Sequence, residues 1–303
     1  MLRRYTPALS LLGVLLLSSP CRANLFEVQP GPGTPLQDAI NAAEPGDTIK
    51  LGDGVFTESI VIDKPLKIFG RVHKKTPLAE INAGCQAPIA IDVAADNVNL
   101  RQLTVTGGTF SAVQIHNRQN VRVQKVIPQA LGAGSGEGCG SEQYGFDIAA
   151  SERVKLFYGS VAGTSFGLPG SVGFLGAAIY LHQIAPKARV EVIKYFLDGH
   201  VRGIVVDGVT GPFAVKLNRF FVIASDTGVL LTNSDDVRVE RGFVRTAGTG
   251  VPPFGIRVDA TSDHNQLFFN QVTGYATDVT DDGSDNCWRR TTFTTGSVAT
   301  DCS

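Results

Sequence analysis

The sequence predicts an all-β protein that folds as a parallel β-helix, a solenoid with three strands in each coil. The first observation is a five-residue pattern, clearest at residues 203–207 (GIVVD), in which a small residue precedes alternating inward and outward side chains. The second is its recurrence, since its second inward residue falls every 24 to 33 residues, at Ile91, Ile115, Ile148, Leu181, Val206, Leu231 and Val258. Such alternation is typical of strands, and a repeat of this length is typical of solenoids.

The composition agrees with many short strands and turns. Of 303 residues, 43% are hydrophobic and 18% are charged, which is sufficient for one large domain with a sizeable core. Glycine is frequent, at 34 residues, and only one methionine is present. A β-sandwich is the alternative architecture. It is disfavoured because similar strands recur at one coil length instead of pairing as hairpins.

Residues 1–23 have the pattern of a secretory signal peptide. Arg3 and Arg4 precede a short apolar segment over residues 8–17, and the small residues Cys21 and Ala23 flank Arg22, so cleavage is expected after Ala23. The apolar segment is too short to span a bilayer. A lipoprotein with Cys21 as the modified residue is disfavoured, since a small residue would be expected at Pro20. The protein is therefore expected to be secreted or periplasmic, with no transmembrane segment in the mature chain.

The charge of the mature chain bears on its partners. Without Arg3, Arg4 and Arg22, the chain has 24 basic and 28 acidic residues. This acidic balance argues against nucleic acid or an anionic membrane as the main partner.

Four cysteines remain in the mature chain, and an even number in an exported protein predicts disulfides. Of the three possible pairings, we expect Cys85–Cys139 and Cys287–Cys302, because the first two precede the pattern in nearby coils and the last two are local. No Cys/His spacing suggests a structural zinc site.

An amphipathic helix is predicted ahead of the coils. Thr34 is its expected N-cap, Pro35 its first residue, and the dipeptide Pro45-Gly46 follows its end. Such a helix would cover the open first coil. Residues 24–80 are thus assigned to the cap helix and first coils, with strands over 48–51, 59–62 and 66–69.

Residues 81–280 are assigned to the regular coils. Each pattern strand is followed by a second strand and a third short apolar segment, and asparagines that tolerate left-handed backbone are expected at corners, at Asn97, Asn120, Asn233 and Asn265. Two long connections, over residues 131–144 and 164–177, enter just before neighbouring pattern strands. Long loops are often functional, although surface decoration explains them equally well.

Residues 281–303 are assigned to a C-terminal cap. The acidic run from Asp281 to Asp285 has two interpretations, a calcium loop or a solvated turn. The turn is favoured because the run lacks the ligand spacing of a known calcium loop. No other cofactor is predicted.

Two segments carry a family resemblance. Residues 35–49 (PLQDAINAAEPGDTI) and 54–70 (GVFTESIVIDKPLKIFG) resemble the opening of right-handed parallel β-helix proteins of the pectin-lyase-like superfamily, and look most similar to NosD-like exported proteins. The resemblance implies a right-handed helix and a carbohydrate-related role. It implies no single activity, because the superfamily contains lyases, esterases, hydrolases and epimerases. The motifs of these enzymes are absent, apart from a partial match at Asp198-Gly199-His200.

The pattern also predicts a candidate site. Outward residues at equal places in the pattern form columns, because stacked strands lie about 4.8 Å apart. One predicted column contains Asp92, His116, Ala149, His182, Asp207, Thr232 and Asp259, and its neighbour contains Ala90, Gln114, Asp147, Tyr180, Val205, Leu230 and Arg257. Adjacent coils would thus bring together four expected catalytic residues, Asp147, Tyr180, His182 and Asp207. The expected substrate-binding residues are His116, Arg257 and Asp92.

Three roles for this face are open. In an enzyme, His182 would act as base and Tyr180 as acid in β-elimination from a polysaccharide, or the carboxylates would serve in hydrolysis. A non-catalytic glycan-binding module and a structural or adhesive cell-envelope protein are the alternatives, since polar ladders are common on solvated faces. A metal site is disfavoured, because His116 and His182 are two coils apart, about 9–10 Å at strand spacing. A second-sheet column containing Arg122, Lys155, Glu191, Lys216 and Arg238 is interpreted as a screened charge ladder, with binding of an acidic glycan as the alternative.

Overall fold

The fold is a parallel β-helix, as the sequence predicts. The computed structural model describes residues 23–130, 139, 143–162, 174–246, 252–298 and 302. Twenty-four of its strands are joined in one network, and every pairing in that network is parallel. Residues 1–22 and most of both long connections lie outside the described residues, so the signal peptide and the two loops stay predictions.

Sheet 1 carries the repeated pattern. Three of its strands are long and also contribute their earlier residues to the other sheets. In stacking order, sheet 1 contains β4 (Ile60–Ile62), the ends of β8 (Ala79–Val93) and β9 (Asn99–His116), β11 (Tyr144–Ala149), β14 (Ala177–His182), the ends of β16 (Phe196–Asp207) and β18 (Phe221–Thr232), β21 (Phe254–Val258), β24 (Thr277–Asp281) and β26 (Gly296–Ser297).

Sheets 2 and 3 complete each coil. Sheet 2 contains β1 (Leu25–Val28), β2 (Thr48–Leu51), β5 (Lys67–Phe69), the start of β9, β10 (Arg122–Pro128), β12 (Val154–Phe157), β15 (Val190–Ile193), β17 (Val215–Asn218), β19 (Arg238–Glu240), β22 (Gln266–Phe268) and β25 (Cys287–Arg289). Sheet 3 contains β3 (Gly54–Phe56), parts of β8, β9, β10, β16 and β18, β13 (Ser160–Ala162), β20 (Phe243–Thr246) and β23 (Gln271–Thr273). A small antiparallel pair, β6 (Val72–His73) and β7 (Thr76–Pro77), lies apart.

The core is a set of apolar columns along the axis of the helix. Because side chains alternate along a strand, every second residue of sheet 1 points inward and stacks on its counterpart in the next coil. One column is buried throughout and contains Ile60, Ile91, Val113, Phe146, Ile179, Ile204, Val229, Ile256 and Val279. These residues hold the strands of sheet 1 in register and so position its outer face.

A second inward column consists of small residues. Gly203, Gly228 and Gly255 lie in register in three successive coils, where valine side chains of sheet 3 approach the backbone. A Cβ atom on Gly228 would lie 2.2 Å from Cγ1 of Val244 and 2.7 Å from the carbonyl oxygen of Gly255. We call these three residues the glycine column. The small residue that opens the sequence pattern is therefore required by packing.

The predicted helix is α1 (Pro35–Ala42), which buries Leu36 and Ile40. Thr34 occupies the N-cap position, but its side chain makes no capping hydrogen bond. Glu58 caps the helix instead, since its two carboxylate oxygens accept hydrogen bonds from the backbone N–H groups of Leu36 and Gln37 at 3.0 and 2.8 Å. An anion at the positive end of a helix is favourable, and here it comes from the first coil.

Corner asparagines behave in two ways. Asn97, Asn120 and Asn233 have positive φ, as expected of left-handed corner residues. Asn265 does not. It is fully buried, and its side chain accepts from the N–H of Val237 at 2.8 Å and donates to the carbonyl of Ser234 at 2.9 Å. This asparagine closes a turn through its amide group and not through its backbone conformation.

Both predicted disulfides are confirmed. Cys85 is bonded to Cys139, and Cys287 is bonded to Cys302. The first bond joins residues 54 positions apart in the sequence, and the second fastens the C-terminal segment near the buried side chain of Trp288. Among the described residues, no helix has the length and apolar character needed to cross a bilayer.

Candidate functional site

The predicted columns are confirmed from His116 onward. Strand pairing places His116, Ala149, His182, Asp207 and Thr232 opposite one another in successive coils. The neighbouring column contains Gln114, Asp147, Tyr180, Val205, Leu230 and Arg257.

Asp92 is the exception, and its predicted position was wrong. It pairs with Gln114 and not with His116, because Val93 and not Ile91 lies opposite Ile115. The predicted alignment was displaced by two residues. Such a displacement keeps every side chain on the same face, so an alternating pattern does not detect it. Burial raises the pKa of Asp92, while the nearby positive groups of His116 and Arg118 oppose this effect.

Asp147 forms the centre of the site. Its carboxylate is almost fully buried, with Oδ1 at 2.9 Å from Nε2 of His182 and Oδ2 at 2.9 Å from Nε2 of His116. The His182 contact is a hydrogen bond, whereas the His116 contact has the distance of an ion pair without hydrogen-bond direction. Burial alone would raise the pKa of Asp147, but the two histidines outweigh burial and hold it below its ordinary value.

The convergence of the two histidines contradicts the distance argument made from the strand spacing. Although His116 and His182 belong to coils two apart, their ring centroids are only 5.7 Å from each other. Ala149 lies in register between them and is buried, so its methyl group leaves room for both imidazoles to lean toward Asp147. Strand spacing sets the distance between the Cα atoms of stacked strands, whereas long side chains can bring their end groups much closer together.

These three residues bring their ligand atoms within 4.8 Å of one another. In the described part of the chain, no other group of three or more His, Cys, Asp or Glu residues does so. Gln114 supports the cluster, since its Nε2 lies 2.8 Å from Nδ1 of His116.

A row of aromatic rings runs across the same face. Measured between ring centroids, Phe110 contacts Tyr144 edge-on at 5.4 Å. Tyr144 stacks on Tyr180 at 4.8 Å, and Tyr180 stacks on His182 at 4.3 Å. His182 in turn meets His116 edge-on. We call these five residues the aromatic row. The sequence pattern does not identify Phe110 and Tyr144 because they precede its alternating residues, although both are aromatic residues next to it.

Tyr180 and Asp207 form a second polar pair. The Tyr180 hydroxyl donates to Oδ2 of Asp207 at 3.1 Å, and Asn233 donates to its Oδ1 at 3.1 Å. Burial and, after it, the charge of Asp207 raise the pKa of Tyr180 well above its ordinary value. The hydroxyl therefore stays protonated and acts as a hydrogen-bond donor.

Arg257 does not join this group. It lies four coils from Asp147 in the same column, about 19 Å away at strand spacing, and its guanidinium lies 4.8 Å from the ring of Phe254. The partial enzyme motif at Asp198-Gly199-His200 is also separate, because His200 is fully buried and its Nε2 contacts the carbonyl of Val161 at 3.0 Å.

The two remaining predicted features are the acidic run near the C-terminus and the charged column of sheet 2. In the acidic run, Oδ1 of Asp281 accepts hydrogen bonds from Asn286 and from the backbone N–H of Gly283, and its Oδ2 accepts one from Nε1 of Trp288. The charged column of sheet 2 is in register as predicted. It borders a groove of about 520 Å³, which is lined by Lys67, Asn97, Val98, Asn99, Asn120, Arg122, Arg153, Val154, Lys155, Arg189 and Glu191. Within it, Lys155 pairs with Glu191 at 2.9 Å.

Fold and site together define a solenoid that presents polar and aromatic side chains on the outer face of one sheet. No protein-family model matches the sequence, and no curated protein matches it significantly. Solved structures do match. The chain resembles an alginate lyase of the PL6 family, AlyGC, with a TM-score of 0.60 and 11% identity over 88% of this chain and 38% of that one. It also resembles ORF18 of Geobacillus virus E2, with a TM-score of 0.56 and 11% identity over 88% of this chain and 62% of that one.

Both matches confirm the fold. The chain spans only about four tenths of the alginate lyase and six tenths of the viral protein, and at this identity the likeness concerns the fold alone. The likeness to NosD-like proteins stays a prediction.

Proposed function

We propose that this protein is exported and binds a polysaccharide along the aromatic row of sheet 1. The observation that supports this proposal is the continuity of the row, in which five rings touch in sequence beside the carboxylates of Asp147 and Asp207. Sugar rings have apolar C–H faces that pack on aromatic rings, and hydroxyl groups that donate to carboxylates. The row offers both kinds of contact.

The dimensions suit a short stretch of glycan. The row runs from Phe110 in β9 across β11 to β14 and returns to His116 in β9, so it spans about 10 Å across the strands, enough for about two sugar rings. Phe110 is 43% exposed and stands at one end of the row, where an incoming chain would meet it first. Asp92 and His116 would bind at the other end. Arg257, four coils away, would reach only a longer glycan.

Cleavage of the bound glycan is the second candidate function. It is favoured by the two neighbouring pairs, Tyr180 with Asp207 and His182 with Asp147. In β-elimination, His182 would remove a sugar-ring proton while Tyr180 donates a proton to the leaving oxygen. In hydrolysis, Asp147 and Asp207 would be the two catalytic carboxylates. Binding is the better supported function, because Nε2 of His182 is already engaged by Asp147.

The test uses residues 24–303 with both disulfides formed and a panel of acidic and neutral polysaccharides. Binding is measured by calorimetry, and cleavage by reducing ends and by the ultraviolet absorbance of an unsaturated sugar product. Tyr180→Ala removes a ring in the middle of the row and is expected to weaken binding about 2- to 10-fold, the equivalent of one aromatic contact of about 0.5–1.5 kcal/mol. Tyr180→Phe keeps the ring and should lose less.

Tyr158→Ala is the matched control. Tyr158 is 51% exposed and follows β12, away from sheet 1, so its loss should leave binding unchanged. No binding across the panel, or an equal loss in Tyr158→Ala and Tyr180→Ala, would overturn the proposal and favour a structural or adhesive role. Product formation that disappears in His182→Ala while binding persists would establish cleavage.

Export is part of the proposal. Two disulfides fit an oxidising compartment, and the signal-peptide pattern of residues 1–23 fits the same location. Mass spectrometry of protein recovered from the periplasm or medium is expected to find Asn24 as the first residue. Recovery of the intact chain from the cytoplasm alone would contradict export.

A further inference from the structure

The cluster of His116, Asp147 and His182 has the donor set of a metal site. We propose that it binds one divalent transition-metal ion of the zinc class, through Nε2 of each histidine and one carboxylate oxygen. The proposal concerns the same face as the glycan, but metal binding is measured without glycan and stands or falls independently.

The geometry is close to what a metal requires. Zinc–nitrogen and zinc–oxygen bonds are about 2.0–2.2 Å long, which places the ligand atoms of a tetrahedral ion about 3.4 Å apart. Each Nε2 is now 2.9 Å from an oxygen of Asp147, and all the ligand atoms lie within 4.8 Å of one another. Small rotations of the two imidazoles bring the three donors to coordination distance without movement of the strands.

The chemistry of the donors selects the kind of ion. Two imidazole nitrogens with one carboxylate oxygen suit zinc and its neighbours, whereas calcium and magnesium prefer oxygen ligands. The side chains of His116 and His182 are 30% and 19% exposed, so the outer side of the cluster faces solvent. A metal held by three protein ligands there keeps a coordination position for water or for a glycan oxygen.

Neighbouring residues orient the ligands. Tyr180 stacks on the ring of His182 and fixes its plane, and the Gln114 amide contacts Nδ1 of His116. With its oxygen turned toward an Nδ1–H group, that amide would leave Nε2 of His116 unprotonated and free to bind metal. With the amide nitrogen of Gln114 on Nδ1, as it stands here, a neutral His116 carries its proton on Nε2, 2.9 Å from Oδ2 of Asp147, and a metal ion would displace that proton.

Ala149 supplies the space. It lies between the two histidines in the same column, and any larger side chain at this position would separate the imidazoles. The competing explanation is a metal-free cluster in which an imidazolium neutralises the buried carboxylate. The two explanations differ in whether the cluster binds an ion at all.

The experiment titrates chelator-treated protein, residues 24–303, with Zn²⁺ by calorimetry and with Co²⁺ by visible absorption. We expect one ion for each chain, and Co²⁺ bands typical of nitrogen and oxygen ligands in low coordination. His182→Gln and His116→Gln are expected to weaken Zn²⁺ binding at least about 10-fold, as losses of a direct ligand. Ca²⁺ should not compete.

Two further variants separate a site from a general effect. His264→Ala removes an exposed histidine near Asp285, outside the cluster, and should leave binding unchanged. Ala149→Val retains all three ligands and should weaken binding as strongly as loss of a histidine. Circular dichroism and thermal unfolding of each variant without metal show whether its fold is intact. Absence of one-to-one binding by Zn²⁺ and Co²⁺, or equal losses in His264→Ala and His182→Gln, would overturn the inference.

The outcome is distinguishable from that of the proposed function. Metal binding without glycan binding would leave this inference standing and remove the proposed function. Glycan binding that is the same with and without chelator, in a protein that takes up no Zn²⁺, would do the reverse. If both hold, the metal occupies His182, which then does not act as the base of a cleavage reaction.

Discussion

Gly228→Ala tests whether the glycine column sets the packing beneath the candidate site. The added Cβ would lie 2.2 Å from Cγ1 of Val244, against about 3.5–4.0 Å for an ordinary carbon contact. The carbonyl oxygen of Gly255 would lie 2.7 Å from the same Cβ, so the added methyl group cannot shift away from Val244 in that direction. Overpacking of this kind costs about 1–3 kcal/mol, and the lower entropy of the unfolded chain offsets about 0.4–1 kcal/mol of it. We expect a net loss of about 1–2 kcal/mol in the free energy of unfolding.

Urea unfolding provides the assay, with the loss expected as a lower midpoint and an unchanged slope. Gly31→Ala is the matched control, since its Cβ would meet nothing within 4 Å and its φ is not positive. This control should be neutral or slightly stabilising. Val244→Ala removes the methyl group that the new Cβ would strike, so the double variant Gly228→Ala/Val244→Ala should show a favourable coupling of about 1 kcal/mol.

Two results would refute the reasoning. If Gly228→Ala is as stable as Gly31→Ala, the backbone can accommodate a methyl group and the column is not a packing requirement. If Gly228→Ala is destabilised but shows no coupling with Val244→Ala, the contact that we hold responsible is not the cause.

Three further predictions concern other parts of the fold. Loss of the Cys85–Cys139 disulfide, which closes a loop of 54 residues, should lower the free energy of unfolding by up to about 4 kcal/mol, because the unfolded chain gains entropy. Equal urea midpoints for the native protein and a double serine variant would contradict this. Burial lowers the pKa of His200 from 6.5 to about 4, so the folded state binds this proton less readily than the unfolded state. The free energy of unfolding is therefore unaffected above pH 6.5 and falls by about 3 kcal/mol as the pH is lowered to about 4. His200→Gln should flatten that part of the profile, and a parallel profile in the variant would assign the loss to other groups. Asn265→Ala leaves a buried N–H and a buried carbonyl without partners and should cost about 2–4 kcal/mol in urea unfolding, whereas a change below about 0.5 kcal/mol would contradict the role of its amide.

The fold could be predicted because its information is local and repeated. An alternating strand preceded by a small residue identifies both the inward face and the corner of the coil, and its spacing gives the coil length. The same information predicted the columns that place Asp147, Tyr180, His182 and Asp207 together. It failed at Asp92, since a shift of two residues leaves the alternation intact.

What the sequence could not predict depends on side-chain direction and on contacts between distant segments. Strand spacing gives the separation of backbones, so the meeting of His116 and His182 over Ala149 was not foreseen. Glu58 caps α1 from the connection between β3 and β4, about 20 residues away, and no local signal near Thr34 indicates it. Tyr144 belongs to the aromatic row although it precedes the alternating pattern. Only the position of Tyr180 in the next coil would have indicated it as a stacking partner.

The placement of the site across coils also affects how this protein can change over evolutionary time. Solenoids grow and shrink by whole coils, and most of their surface tolerates such exchange because each coil replaces an equivalent one. The cluster around Asp147 is different, since its groups come from three consecutive coils and the middle one supplies both the carboxylate and the small Ala149. Duplication of the coil between β9 and β14 would separate the two histidines, and its loss would remove Asp147, whereas the same events near β21 would leave the cluster intact. This segment is therefore the part of the solenoid in which the number and order of coils are constrained.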